Sequence, residues 1–315
     1  MILQDLYNFV TKKTEQEIPQ LLKKYFDFIV NNIQNSELRL ILSLNTKKKN
    51  NAMNREKCDY LFRFCEYETV KKLLQIVYLF DAFQAVAANT EELNLVFPKI
   101  TNCKTVEIIG LYHLFVKDAV ANDVFLNENK NIFFLTGANM AGKSTFFKAF
   151  GVAVYLAHLG FPVAATSMKI GVFNGLFSTI NITDSLNNGY SHFYAEVLRV
   201  KKVAEEIKQT ENLIVIFDEL FRGTNVKDAF DASLAIISAF ASIKGSVFLI
   251  STHIMEVAEQ LKNLENINFG YFKTIIDGKK PIYNYRLQNG VTNERLGMLI
   301  IENEKIIEII KSEKH

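Results

Sequence analysis

A glycine-rich run in the middle of the chain has the spacing of a phosphate-binding loop. Residues 131–147 read NIFFLTGANMAGKSTFF, with G-x-x-x-x-G-K-S from Gly137 to Ser144. Glycines at this spacing let the backbone fold back, so that successive N–H groups point at phosphate oxygens. Lys143 can reach the β- and γ-phosphates of a nucleotide, and the Ser144 hydroxyl can bind Mg²⁺. The run predicts an ATP and Mg²⁺ site formed by Gly137, Ala138, Asn139, Met140, Ala141, Gly142, Lys143, Ser144 and Thr145.

Two acidic residues follow a continuous apolar run. Residues 213–219 read LIVIFDE, so the predicted strand Leu213–Phe217 ends at Asp218 and Glu219. Open α/β sheets bind ligands at the carboxyl ends of their strands. There Asp218 is suited to hold Mg²⁺ and Glu219 to deprotonate the attacking water. Alone, such a pair would fit exposed strand-end acids equally well, but the glycine-rich loop favours the catalytic interpretation.

A histidine ends the next apolar run. Residues 247–250 are followed by Ser251, Thr252 and His253. Elsewhere such a histidine is more often a hydrogen-bonded core residue, but here it can reach the γ-phosphate or its attacking water. We therefore predict that Glu219 and His253 are the catalytic residues.

These residues need a sheet to position them, and the sequence after Lys104 predicts one. Short β-type runs alternate there with amphipathic helices, which is typical of a mainly parallel sheet covered on both faces. The predicted class is α/β, a P-loop NTPase. The predicted strands and helices include Val106–Ile109, Asn131–Thr136, His192–Lys208, Leu213–Phe217, Asp228–Ile243, Ser246–Ile250 and Ile254–Leu264.

Residues 1–100 have the apolar spacing of helices throughout. We accordingly divide the chain into an all-α segment, 1–104, and an α/β domain, 105–315. The stretch Leu73–Ala88 is the most apolar, but polar residues interrupt it and it is shorter than the roughly 20 residues that cross a bilayer. It predicts a buried helix. The basic run 47–49 is predicted to be a solvated loop, with a DNA-contacting tip as the less favoured alternative.

Composition excludes few functions. The 315 residues are 49% hydrophobic and 22% charged, as in a globular protein, and the net charge of +2 gives no argument for a strongly basic nucleic-acid surface. The three cysteines lack metal-binding spacing and are expected to be reduced thiols. The N-terminus does not read as a signal peptide. We expect a cytoplasmic protein without a membrane segment.

Several motifs together resemble one family. TGANMAGKST (136–145), DELFRGTN (218–225) and STH (251–253) resemble the ATPase domain of MutS-type DNA mismatch-repair proteins. DSLNNGYSHFYAE (184–196) resembles the family's D-x-x-x-x-G-x-S-x-F-x-x-E segment, Asp228 fits the acid after the Walker-B turn, and VAND (120–123) resembles the segment before the P-loop strand. The resemblance covers about residues 105–300.

The resemblance implies an ABC-type ATPase domain that works as a homodimer. Ser191 of one subunit would face the γ-phosphate bound by the other, and Asn139 would contact phosphates in its own subunit. ATP binding would close the dimer and change how helical levers grip DNA, mismatched or branched. Residues 1–104 would then resemble part of the family's helical core and lever region.

The sequence departs from the family at four places. Ala138 and Ala141 replace the usual Pro and Gly at variable loop positions. Phe221 stands where Gly is usual, and Ala119 where an aromatic residue often stacks on adenine. No segment resembles the N-terminal mismatch-reading domain with its Phe-x-Glu wedge. The chain is therefore either a fragment or a short MutS-like protein.

Two other functions stay open. An ABC ATPase of another class would carry a Leu-Ser-Gly-Gly-Gln signature, where this chain reads GYSHF (189–193). A nucleotide-gated dimerising scaffold would bind ATP without hydrolysing it or recognising mismatches, although the intact Lys143, Asp218 and Glu219 argue against it.

Overall fold

The computed structural model describes residues 2–13, 17–44, 52–138, 140–180, 192–221, 224–277, 280–292, 301 and 303–311. It divides into two units, Met1–Ala88 and Asn89–His315. This division falls before our boundary at residues 104/105, because Lys99–Thr101 already forms a strand that pairs with residues 169–171. The assignment of a lever segment and an ATPase domain to our two ranges stays a prediction.

In its described residues, the first unit consists of helices joined by turns. Buried apolar residues from these helices, including Leu6 and Ile29, form one core. The Gln4 amide donates hydrogen bonds to the Ile41 and Leu44 carbonyls at the end of a short helix, at 2.7 and 2.8 Å. Carbonyls at a helix end need such partners. The elements are α1 (Ile2–Thr11), α2 (Gln20–Gln34), α3 (Arg39–Ser43), α4 (Ala52–Tyr60), a π-helical turn (Leu61–Cys65) and α5 (Tyr67–Glu92).

The helix predicted over Leu73–Ala88 is confirmed as part of α5, but the prediction that it is buried is wrong. Only Leu73 and Ile76 of α5 are buried, and Tyr78 is 68% exposed. A helix buries one stripe against its neighbours. The apolar residues of α5 are spread around the helix, so most of them lie outside that stripe.

The described residues of the second unit form ten strands in two sheets. The six-stranded sheet has the order β10-β9-β4-β8-β7-β6, and all its described neighbours are parallel except β9 and β10. This confirms the mixed α/β class. The strands are β1 (Lys99–Thr101), β2 (Val106–Leu111), β3 (Asn122–Leu126), β4 (Ile132–Thr136), β5 (Ser167–Gly171), β6 (Gly175–Ser178), β7 (Leu213–Phe217), β8 (Val247–Ser251), β9 (Ile267–Asp277) and β10 (Lys280–Asn289).

Helices cover both faces of this sheet. Every residue of β4, β7 and β8 is buried, which explains their uninterrupted apolar sequences. One core cluster joins the sheet to α6, and a second joins it to α7, α8 and α9. The helices are α6 (Lys143–His158), α7 (His192–Gln209), α8 (Val226–Ala241), α9 (Met255–Leu261) and α10 (Ile306–Lys311).

The remaining strands form a mixed sheet of order β1-β5-β2-β3, which the sequence analysis did not identify as a separate sheet. The Asp123 carboxylate accepts a 2.7 Å hydrogen bond from the Gly110 N–H, where the register between β2 and β3 shifts.

In the described part of the chain, no helix is both long enough and apolar enough to cross a membrane.

Candidate nucleotide site

The glycine-rich loop connects β4 to α6, as its spacing predicts. Gly137 and Gly142 have φ angles of +137° and +109°, in the region that favours glycine. A Cβ added to Gly142 would also lie 3.2 Å from the Tyr285 ring. Gly137 and Gly142 therefore serve the backbone turn, and α6 begins at Lys143, directly after Gly142. Asn139 lies outside the described residues.

Lys143 is buried within this loop, with 4% of its surface exposed. Its Nζ donates hydrogen bonds to the Gly137 and Ala138 carbonyls, at 2.7 and 3.0 Å. Burial lowers the pKa of Lys143, and the negative charges of Glu219 and Asp218 oppose that change. The loop and the acid pair, which are 75 residues apart in sequence, thus act on one ammonium group.

Ser251, the last residue of β8, holds the acid pair in place. Its hydroxyl donates to Asp218 Oδ1 at 2.8 Å and accepts from the Glu219 N–H at 2.9 Å. Its carbonyl accepts from the Leu220 N–H at 3.0 Å. Ser251 is completely buried. One side chain therefore fixes both the Asp218 carboxylate and the backbone that carries Glu219.

A cavity of about 1140 Å³ brings these groups together. Its walls include Lys143, Ser144, Thr145, Asp218 and Glu219. The structure thus places the predicted magnesium ligands and the predicted base around one cavity, whose volume is slightly above the usual range of ligand pockets.

Other predicted site residues lie elsewhere. His253 follows β8 but its side chain is exposed, and it is absent from the described walls of the cavity. Gly137, Ala138 and Ala141 belong to the loop backbone rather than to those walls, whereas Met140 and Gly142 contribute to them. Ser191 lies outside the described residues.

Tyr285 on β10 forms part of one end of the cavity, and the sequence analysis missed it. The end also contains Ala119 and Asn122. Tyr285 has a φ of +54°, at an irregularity in the pairing of β10 with β9. The Asn122 side chain holds it there, donating to the Tyr285 carbonyl at 3.0 Å and accepting from the Leu287 N–H at 2.7 Å. The VAND segment therefore positions a ring beside the loop.

Helix α7 forms another wall of the cavity. His192, Ala195, Glu196 and Arg199 line the cavity from positions i, i+3, i+4 and i+7, which lie on one side of a helix. Thr179, directly after β6, lines it beside them. Helical spacing could have identified this side of α7, but a charged residue there is equally typical of a solvated surface.

The turn after Asp218 and Glu219 contains Phe221, at a position where the family usually has glycine. Glu219 and Phe221 have φ angles of +58° and +56°, and a bulky residue rarely adopts this conformation. Phe221 is nevertheless 3% exposed, and its ring centroid lies 5.6 Å from that of Phe193 on α7. The turn keeps a glycine-type conformation and adds a buried aromatic contact.

Asp228 and Asn225 cap α8 through reciprocal hydrogen bonds of 2.9 and 2.6 Å.

The sequence from β4 to the C-terminal region matches a known family. Residues 133–314, more than half of the chain, match the family model for MutS domain V. The chain belongs to the MutS family. This confirms the resemblance based on the P-loop, the acid pair and the STH segment, all of which lie within the matched range or at its edge.

Three MutS relatives are similar to most of the chain. The DNA mismatch repair protein MutS of Petrotoga mobilis is 27% identical over 326 residues, covering 98% of this chain and 39% of the relative. The MutS proteins of Persephonella marina and Bacillus cytotoxicus are 30% and 29% identical, covering 73% and 74% of this chain and 27% and 26% of themselves. The chain thus spans between about a quarter and two fifths of the length of these relatives.

Proposed function

We propose that this chain binds and hydrolyses Mg-ATP as the nucleotide-responsive part of a MutS-type DNA-repair protein, which acts on DNA as a homodimer. The observation that supports hydrolysis best is the shared cavity of Lys143, Asp218 and Glu219. Membership of the MutS family and the mismatch-repair names of the relatives support the repair role.

The binding loop is suited to phosphate. Lys143 donates to two carbonyls of its own loop, and phosphate oxygens would replace these acceptors when nucleotide binds. Mg²⁺ would be held by the Ser144 hydroxyl and Asp218, and would neutralise charge on the β- and γ-phosphates. Asp218 suits this role because Ser251 engages only its Oδ1 in the described structure, which leaves Oδ2 as a hard oxygen ligand.

Glu219 would act as the general base. It accepts a proton from water while the water oxygen forms a bond to the terminal phosphorus. The bond from that phosphorus to the bridging oxygen breaks, and its electron pair leaves with ADP. The buried ammonium of Lys143 would stabilise the negative charge that develops, and Asp218 would contribute by holding Mg²⁺ in place.

The remaining roles rest on the family resemblance. Asn139 would contact phosphates in its own subunit, Ser191 would face the γ-phosphate of the partner, and His253 would sense the γ-phosphate. The exposed His253 would have to turn towards the cavity on nucleotide binding or dimer closure. Residues 1–104 would transmit closure to DNA as a lever.

Glu219→Gln tests the mechanism. Because the variant keeps the side-chain shape but loses the base, it should bind ATP and release phosphate at least tenfold more slowly, about 1.4 kcal/mol in barrier. Glu211→Gln is the matched control, since Glu211 is an exposed acid just before the opposite end of β7. Unchanged phosphate release by Glu219→Gln would remove Glu219 from the mechanism.

Two further measurements separate the repair ATPase from the alternatives. DNA should increase phosphate release in a salt-sensitive way, because contacts to DNA phosphates weaken as salt rises. No release with or without DNA would favour the nucleotide-gated scaffold. Sizing the chain with and without a slowly hydrolysed ATP analogue should show an ATP-dependent dimer, and a monomer in both cases would contradict the role given to Ser191.

A further inference from the structure

Arg199 is a cation in the wall of the cavity that no part of the proposed mechanism uses. It lies on α7, on the same side as His192 and Glu196, and its side chain is half-buried. Within the described part of the chain, the guanidinium has neither a hydrogen bond nor a salt bridge. An anion bound in the cavity would give this guanidinium a charged partner.

The order of the strands shows which end of the nucleotide Arg199 would meet. Along the sheet, β10 carries Tyr285, β4 leads into the phosphate-binding loop, β7 carries the acid pair and β6 ends beside Thr179. A nucleotide with its phosphates at the loop and its terminal phosphorus at Glu219 therefore has its base towards Tyr285. The α7 wall lies at the other end, beyond the terminal phosphate.

We infer that Arg199 binds the terminal phosphate of ATP in its own subunit, an inference that rests on the proposed ATPase function. A guanidinium donates two parallel hydrogen bonds to phosphate oxygens and keeps its charge at every physiological pH. Arg199 touches the group that is transferred, so it would favour ATP over ADP and stabilise charge during hydrolysis. Lys143 acts from the loop side and Arg199 from the α7 side of the same phosphate.

The test measures ATP and ADP affinities by calorimetry on the full chain in a Glu219→Gln background, so that ATP is not consumed. Adding Arg199→Ala should weaken ATP binding at least tenfold and ADP binding less than twofold. Arg199→Lys should recover part of the lost preference for ATP, because lysine restores the positive charge but cannot donate the two parallel hydrogen bonds of a guanidinium. Arg199→Gln keeps a long side chain and covers the case in which the alanine variant does not fold.

Lys201→Ala is the matched control. Lys201 lies on the exposed side of the same helix, in a 3.8 Å surface ion pair with Glu205. It should leave both affinities within twofold. Equal losses of ATP and ADP affinity in the Arg199 variants, or none, would overturn the inference while the ATPase function stands. If the Glu219→Gln chain binds no ATP at all, the proposed function and this inference both fail.

Discussion

Replacing Ser251 with alanine removes the hydroxyl that holds both acids. Two hydrogen bonds disappear, one to the Asp218 carboxylate and one from the Glu219 N–H. A hydrogen bond to a charged group contributes about 1.5–3 kcal/mol, and an orphaned buried N–H costs about 1–3 kcal/mol. Because relaxation of the pocket and water would satisfy these groups in part, we expect the free energy of unfolding to fall by about 2–4 kcal/mol. Displacing the base by about 1 Å would slow turnover up to roughly 100-fold.

Ser246 provides a matched control at the other end of the same strand pair. Its hydroxyl accepts a 3.0 Å hydrogen bond from the Leu213 N–H and is also buried. Ser246→Ala should therefore lose about 1–3 kcal/mol of stability while the acids stay in place. Urea unfolding measures the first quantity, and phosphate release at saturating ATP, well below the unfolding temperature, measures the second.

Comparing the two variants separates the effect of displacing the acids from the effect of destabilising the fold. Turnover should fall at least tenfold in Ser251→Ala and less than twofold in Ser246→Ala. Similar turnover in the two variants would refute the idea that Ser251 orients the acids, and would leave it a purely structural residue.

Three further predictions follow from the site. Lys143→Met should abolish stabilisation by ATP. Burial lowers the folded-state pKa of Lys143, so between that pKa and about 10.4 the unfolded chain binds more protons than the folded chain. The unfolding free energy of the wild type should therefore rise relative to that of the variant as pH increases through that window. Phe221→Gly should lower the free energy of unfolding by about 1–4 kcal/mol in urea, because losing the ring costs about 3–5 kcal/mol and relieving the left-handed backbone returns about 1–2 kcal/mol. A stabilised variant would contradict this. Tyr285→Ala should weaken ATP binding by roughly 5- to 160-fold, from about 1–3 kcal/mol of base stacking, with Tyr285→Phe as the unchanged control in the same titration.

The phosphate side of the site could be predicted because local sequence determines it. Gly142 and Lys143 form the turn and the first helical residue, and the acids follow a strand that coincides with the predicted Leu213–Phe217. In each case the residues that set the geometry are neighbours in the chain. Hydrophobic patterning and turn chemistry read such features directly.

The base side and the α7 wall could not be predicted in the same way. Tyr285 reaches the cavity through a strand irregularity held by Asn122, 163 residues earlier. Arg199 has the spacing of an ordinary charged residue on an amphipathic helix. Their positions depend on tertiary packing, which a single sequence does not reveal. The second sheet escaped notice because its short strands alternate buried and exposed residues without a strong apolar run.

The contact between Phe193 and Phe221 connects the start of α7 to the turn that carries Glu219. Phe193 is the second residue of α7, and Phe221 lies two residues after Glu219, the proposed general base. A glycine at position 221 would let the helix start and the carboxylate turn move independently. With two packed rings, a shift of the start of α7 would displace Glu219 as well, so the proposed hydrolysis would respond to a movement outside the nucleotide site.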